Sequence, residues 1–124
     1  MEQKRILLVE DEPHIAEAIR FILGRAGWGV DVESDGARAL ERVRALRPEV
    51  VVLDLMLPGR TGIEILTDMR ADPVLAPVPV LMLTARGQSR DRDAAEQAGA
   101  TAFLAKPFAN ADVLAAVEAI AGRG

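Results

Sequence analysis

The side chains capable of chemistry fall at the carboxyl ends of four short apolar runs. Glu10-Asp11-Glu12 follows Ile6-Leu7-Leu8-Val9, and Asp54 follows Val50-Val51-Val52-Leu53. Thr84-Ala85 follows Val80-Leu81-Met82-Leu83, and Lys106-Pro107 follows the run Thr101–Ala105. Crowded carboxylates repel one another and take up protons unless a cation neutralises them. The donors here are hard oxygens, with no cysteine in the chain and His14 read as solvated in the first turn of a helix. Such a set suits Mg2+, or Mn2+, held through a few carboxylates and waters. Lys106 supplies a point charge for a phosphate oxygen and Thr84 a hydroxyl donor. Asp54, between cation and lysine, is placed to attack phosphorus, and phosphoryl transfer asks for little beyond positioning and charge neutralisation.

These side chains meet only if the runs lie side by side, and the intervening segments say how. Runs Arg5–Val9, Trp28–Val32, Val50–Leu53, Val78–Leu83 and Thr101–Ala105 alternate with segments of helical spacing. Two of the runs are continuously apolar, as strands covered on both faces are. Helical stripes are Ile15, Ile19, Ile22, Leu23; then Ala39, Leu40, Val43, Leu46; then Ile63, Ile65, Leu66, Met69; and finally Val113, Leu114, Val117, Ile120. Gln88–Ala98 is an alanine-rich, charged helix with a narrow apolar face. Gly24 with Gly27, Pro48, Asp72-Pro73 and Gly99 end the first four helices, and the last ends at Ala121. Five strands alternating with five helices imply right-handed crossovers and a parallel α/β sheet covered on both sides. In such a sheet ligands bind beyond the strand carboxyl ends, where the acids, the hydroxyl and the ammonium sit.

Composition narrows the classes. The 124 residues carry 15 Lys+Arg and 19 Asp+Glu, a formal charge of −4, with 3% aromatics and no cysteine. That length is one domain's worth and needs no metal or disulfide to hold a core. The missing cysteine excludes a disulfide scaffold, a thiolate zinc site and a cysteine nucleophile. Few aromatics and mild acidity speak against base stacking and nonspecific nucleic-acid binding. After Met1-Glu2-Gln3-Lys4-Arg5 the apolar run is too short for a signal peptide, and no stretch approaches the roughly 20 apolar residues of a membrane span. The expectation is one domain over residues 1–124, soluble and cytoplasmic, with no direct contact to nucleic acid or membrane.

The quoted motifs, together with Leu53-Asp54-Leu55-Met56-Leu57-Pro58-Gly59, Leu83-Thr84-Ala85 and Lys106-Pro107-Phe108, resemble the receiver domain of two-component response regulators over the whole chain. The resemblance implies a flavodoxin-like (βα)5 fold with strand order 2-1-3-4-5. It implies that Asp54 accepts a phosphoryl group from a histidine kinase or phosphotransfer protein. Asp11 and Asp54 would bind Mg2+ directly with the Met56 carbonyl, and Glu10 through water. Thr84 and Lys106 would bind the phosphoryl oxygens, and Phe103 would turn inward as Thr84 shifts. The Lys106–Pro107 peptide is cis in the family, and the phosphoryl lifetime depends partly on side chains at positions Met56 and Arg86. A receiver catalyses only its own phosphorylation and dephosphorylation.

Other readings compete with these. Glu10-Asp11-Glu12 before Pro13 could cap a helix, but Asp54, Thr84 and Lys106 complete a set that capping does not explain. An aspartyl-phosphate hydrolase needs a second acid two residues beyond the nucleophile, and position 56 is Met. A degenerate, phosphorylation-independent receiver would lack part of the set. A flavin carrier would need a Ser/Thr-rich phosphate loop after the first strand.

Two surfaces extend beyond the site. His14, Ala18, Phe21 and Arg25 share the outer face of the first helix, where Phe21 would anchor a kinase or merely be half-covered by local packing. Ala115, Ala116, Ala119 and Ala121 are read as a bare face of the last helix. In the family, output runs through helix four, strand five and helix five, to a downstream protein or a second copy. Gly99-Ala100-Thr101-Ala102 and the almost uncharged last helix depart from the charge-paired dimers of winged-helix regulators, which favours a single-domain regulator.

Overall fold

The computed structural model describes residues 4–84 and 89–122. Strands β1 (Arg5–Val9), β2 (Gly29–Glu33), β3 (Val50–Asp54), β4 (Val80–Thr84) and β5 (Ala102–Ala105) alternate with helices α1 (Pro13–Arg25), α2 (Gly36–Leu46), α3 (Gly62–Ala71), α4 (Ser89–Ala98) and α5 (Asn110–Ile120). The strands are all parallel, in the order β2-β1-β3-β4-β5. The parallel sheet is what the alternation of runs implied, and the flavodoxin-like order is the one that the resemblance implied.

Strand side chains alternate between two dry layers, because successive residues point to opposite faces. Leu7, Val9, Val51, Leu53, Val80 and Met82 pack under α2, α3 and α4 with Val43, Ile65, Leu66 and Met69. Ile6, Leu8, Val50, Val52, Leu81 and Leu83 pack under α1 and α5 with Ile19, Leu23, Val113 and Val117. Each fully buried side chain of this size contributes about 1.5–3 kcal/mol. The central strands β3 and β4 are buried along their whole length.

Several boundaries differ from expectation for local reasons. Pro79 has no N–H and Val78 N bonds back to Leu75 O, so β4 begins at Val80. Trp28 precedes β2 and is buried beneath the α1–α5 layer. Arg47, in the left-handed region at φ 48°, caps α2 one residue before Pro48. Ala116 and Ala121, placed by sequence on the bare outer face of α5, instead pack against the α1–α5 layer. Ala116 lies three residues after Val113 and four before Ile120, hence at the edge of their stripe. Ala115 and Ala119 remain exposed. Ala85, Arg86, Gln88 and Arg123 lie outside the described residues.

Arg70 of α3 closes the amino end of the sheet. Its guanidinium donates to Gly99 O at 2.9 Å, Ala76 O at 2.9 Å and Val78 O at 2.7 Å, with Thr101 Oγ1 at 3.4 Å. Thr101 Oγ1 in turn accepts from Val80 N. One side chain thereby ties α3 to the turns leading into β4 and β5. Arg70→Met keeps the stem and leaves these carbonyls without their charged donor. Urea unfolding should show a loss of about 2–3 kcal/mol, the scale of hydrogen bonds to a charged group. A loss below about 0.5 kcal/mol would mean that water serves these carbonyls as well.

Candidate functional site

Glu10, Asp54, Thr84 and Lys106 come together at the carboxyl edge of β1, β3, β4 and β5. Glu10 directly follows β1, its N–H held by Glu33 O of β2, and is 1% exposed. Asp54 ends β3 and is also buried. Lys106 Nζ lies 3.1 Å from Asp54 Oδ2 and 3.2 Å from Glu10 Oε1. Its contact with Asp54 is a hydrogen bond, whereas Glu10 Oε1 has ion-pair proximity but no hydrogen-bond partner among the described residues. Lys106–Pro107 is a cis peptide, as the resemblance implied.

The acidic triplet divides its labour. Glu12 caps α1, accepting from His14 N at 3.0 Å, with Pro13 in the first turn. Glu10 turns inward and accepts from Glu12 N at 3.2 Å. Asp11 is exposed, yet it, Glu10 and Asp54 each offer an oxygen within 4.8 Å of the others. Capping thus falls to Glu12, while Glu10 and Asp11 are the residues of the run within reach of Asp54. Three hard oxygens converging in one corner, with a single ammonium shared between two of the carboxylates, suit a divalent cation such as Mg2+ or Mn2+.

The other expected residues take the following places. Met56 N donates to Asp54 Oδ1 at 3.3 Å, and its side chain is exposed. Thr84 is buried and donates to Leu104 O at 3.4 Å, a long bond. Phe103, beside Met82 on β5, is half-buried under the guanidinium of Arg92, 4.3 Å from the ring centroid. Phe21 is 64% exposed, with Arg25 5.7 Å from its ring centroid. A groove of about 440 Å3 runs from Lys106 along α1, lined by His14, Ile15, Ala18, Pro107, Phe108 and Asn110. Sequence reasoning missed the groove, although Phe108, an apolar residue two after Lys106, was its signal: it packs against the α1–α5 layer.

A family model described as the response regulator receiver domain matches residues 6–118. The chain belongs to the response regulator receiver family. The receiver is 41% identical over 117 residues to the DNA-binding response regulator MtrA of Mycolicibacterium smegmatis, covering 94% of this chain and 50% of that protein. It spans about half the length of the curated relatives it matches. A putative response regulator from Chloroflexus aurantiacus superposes with a TM-score of 0.91 at 32% identity, covering 96% and 98% of the two chains. The receiver domain of the sensor histidine kinase PA1611 from Pseudomonas aeruginosa, solved with magnesium in its active-site cleft, gives 0.82 at 31% identity, covering 95% and 97%.

Electrostatics of the receiver follow from burial. Desolvation, reinforced by the neighbouring Asp54 carboxylate, raises the Glu10 pKa to about 7. Burial opposes the Lys106 charge, but the hydrogen bond and charge of Asp54, with Glu10 behind, hold its pKa above the usual lysine value. A carboxyl whose pKa is raised by folding binds more protons folded than unfolded, so it subtracts stability as pH rises. In EDTA, stability should therefore fall between pH 4.5 and 7. The slope from this one group is at most about 1.4 kcal/mol per pH unit. Urea unfolding of Glu10→Gln should flatten that slope; an unchanged slope would assign it elsewhere.

Proposed function

We propose that this receiver is a phosphorylation-activated signalling switch in which Asp54 is the phosphoryl acceptor and residues 1–124 form one such domain. The observation that carries the reading is the buried Asp54 carboxylate hydrogen-bonded to Lys106 beside Glu10 and Asp11. Asp11, Asp54 and the Met56 carbonyl would hold Mg2+, with Glu10 acting through water. Bound there, the cation supplies the positive charge that lets the carboxylates and an incoming phosphoryl group share one corner. The magnesium in the similar PA1611 receiver supports this assignment.

The rest is the work of the chain's own side chains. An Asp54 oxygen forms the bond to phosphorus as the bond from phosphorus to the donor's leaving group breaks. Lys106, already on Asp54 Oδ2, neutralises a phosphoryl oxygen. Thr84 exchanges its long bond to Leu104 O for a phosphoryl oxygen, and Phe103 follows inward. Because Arg92 of α4 stacks on Phe103, that movement reaches α4 and remodels the α4–β5–α5 surface for a downstream protein or a second copy. The chain then turns over no external substrate beyond its phosphodonor, and acts in the cytoplasm.

Response regulators receive their phosphoryl group from histidine kinases. Here the α1 face, with exposed Phe21 and the apolar groove ending at Lys106, is the proposed docking surface. MtrA is named a DNA-binding regulator and is twice the length matched; within the receiver itself we assign no contact to nucleic acid.

Intact mass after incubation with acetyl phosphate tests the acceptor. One Mg2+-dependent phosphoryl adduct is expected, absent in Asp54→Asn; an adduct that persists in that variant would move the acceptor elsewhere. Phe21→Ala should slow transfer from the cognate kinase about tenfold, as loss of an interface anchor does, and leave acetyl phosphate labelling unchanged. Equal slowing of both would remove Phe21 from the docking surface.

A further inference from the structure

The loop after Asp54 is gripped by a part of the fold that contributes no side chain to the site. At its root, Gly62 N donates to Leu55 O at 2.9 Å. At its apex, Gly36 N of α2 donates to Pro58 O at 3.0 Å, which also accepts from Arg60 N at 3.0 Å. The two backbones touch through a pair of glycines. A Cβ on Gly36 would stand 2.2 Å from Arg60 O and 2.8 Å from Pro58 O. A Cβ on Gly59 would stand 2.7 Å from Asp35 Oδ1 and 3.0 Å from Ala37 N. Gly59 has φ +84°, so its backbone also favours glycine, whereas Gly36 is required by space alone.

The support behind this contact is stiff. Asp35 caps α2, its Oδ1 accepting from Ala37 N at 2.9 Å, while its own N–H donates to Glu33 Oε2 at 3.0 Å. Glu33 is buried at the end of β2, with Arg38 and Arg42 each 3.9 Å away. A continuous path therefore runs from the sheet through Glu33, Asp35 and Gly36 to Pro58, two residues beyond Met56.

We propose that the β2–α2 turn, through Gly36, is a positioning element for the Met56–Arg60 loop and sets the divalent-cation affinity of the Glu10, Asp11, Asp54 cluster. The inference rests on the cation-site reading above. Mg2+ demands near-ideal octahedral geometry and tolerates little displacement of an oxygen ligand. A methyl group at Gly36, 2.2 Å from Arg60 O and 2.8 Å from Pro58 O, must push the first away by most of an ångström and the second by a few tenths, and the loop bearing the Met56 carbonyl moves with them.

The test is calorimetric titration of Mg2+ into the whole chain, with thermal unfolding in EDTA as the measure of folding. Loss of an outer support of a metal site costs about tenfold in affinity or more. Gly36→Ala should raise the Mg2+ Kd by about fivefold or more, with wild-type phosphoryl adduct yield restored at saturating Mg2+. Asp35→Ala, which loosens the turn without adding atoms, should raise it about twofold to threefold, a fraction of that cost. Gly24→Ala on α1, whose Cβ would meet nothing within 4 Å, should leave it unchanged. A folded Gly36→Ala protein with wild-type Kd overturns the proposal. If that variant does not fold, Asp35→Ala decides: a lowered unfolding temperature with unchanged Kd shows a merely structural turn and overturns it too. A wild-type chain that takes up no Mg2+ would instead overturn the cation site itself, and this inference with it.

Discussion

Two buried carboxylates, Glu10 and Asp54, share a single ammonium, and the charge balance of that corner shapes the rest of the molecule. At the effective dielectric of a protein surface, like charges about 4 Å apart repel by about 4 kcal/mol. Lys106 offsets only part of that, because a third carboxylate, Asp11, stands at the mouth. Burial first, and then Asp54, raises the Glu10 pKa, while the two carboxylates hold the Lys106 pKa up against its own burial. In the proposed switch, this surplus negative charge is what would draw in a divalent cation, and with it a phosphoryl group that brings charge of its own. On that proposal, the same electrostatics that costs stability in the resting fold would give the site its sensitivity to a new anion.

The scaffold keeps this unfavourable cluster in place with interactions remote from it. A parallel sheet buried on both faces delivers Glu10, Asp54, Thr84 and Lys106 to one edge, since every strand points the same way. At the opposite edge Arg70 ties the entries of β4 and β5 to α3. The proposed rearrangement of Thr84 and Phe103 lies at the other, carboxyl ends of the same two strands. Arg92 on Phe103 is the contact by which such a rearrangement would reach α4.

Much of this was legible in the sequence because it depends on residue type. Continuous valine and leucine runs marked the inner strands, and the acids, threonine and lysine stood immediately after them. What stayed hidden depends on backbone atoms. Arg70 binds mainly carbonyls, which leave no pattern in the residues that supply them. The Gly36–Arg60 approach is a meeting of two main chains, visible in sequence only as two glycines among ten. Ala116 was misplaced because alanine marks neither the inner nor the outer face, whereas Val113 and Val117 mark the inner one. The division of the acidic run into a cap, an exposed carboxylate at the mouth and an inner carboxylate required the turn geometry after β1.

The most direct test of the central claim is a crystal structure with Mg2+ and fluoroberyllate, which mimics the phosphoryl group on an aspartate. The account predicts one cation held by Asp11, Asp54 and the Met56 carbonyl, beryllium on an Asp54 oxygen, and Lys106 and Thr84 turned to the fluorides. Fluoroberyllate on another residue, or Lys106 still paired with Asp54 and no cation among the three carboxylates, would contradict it.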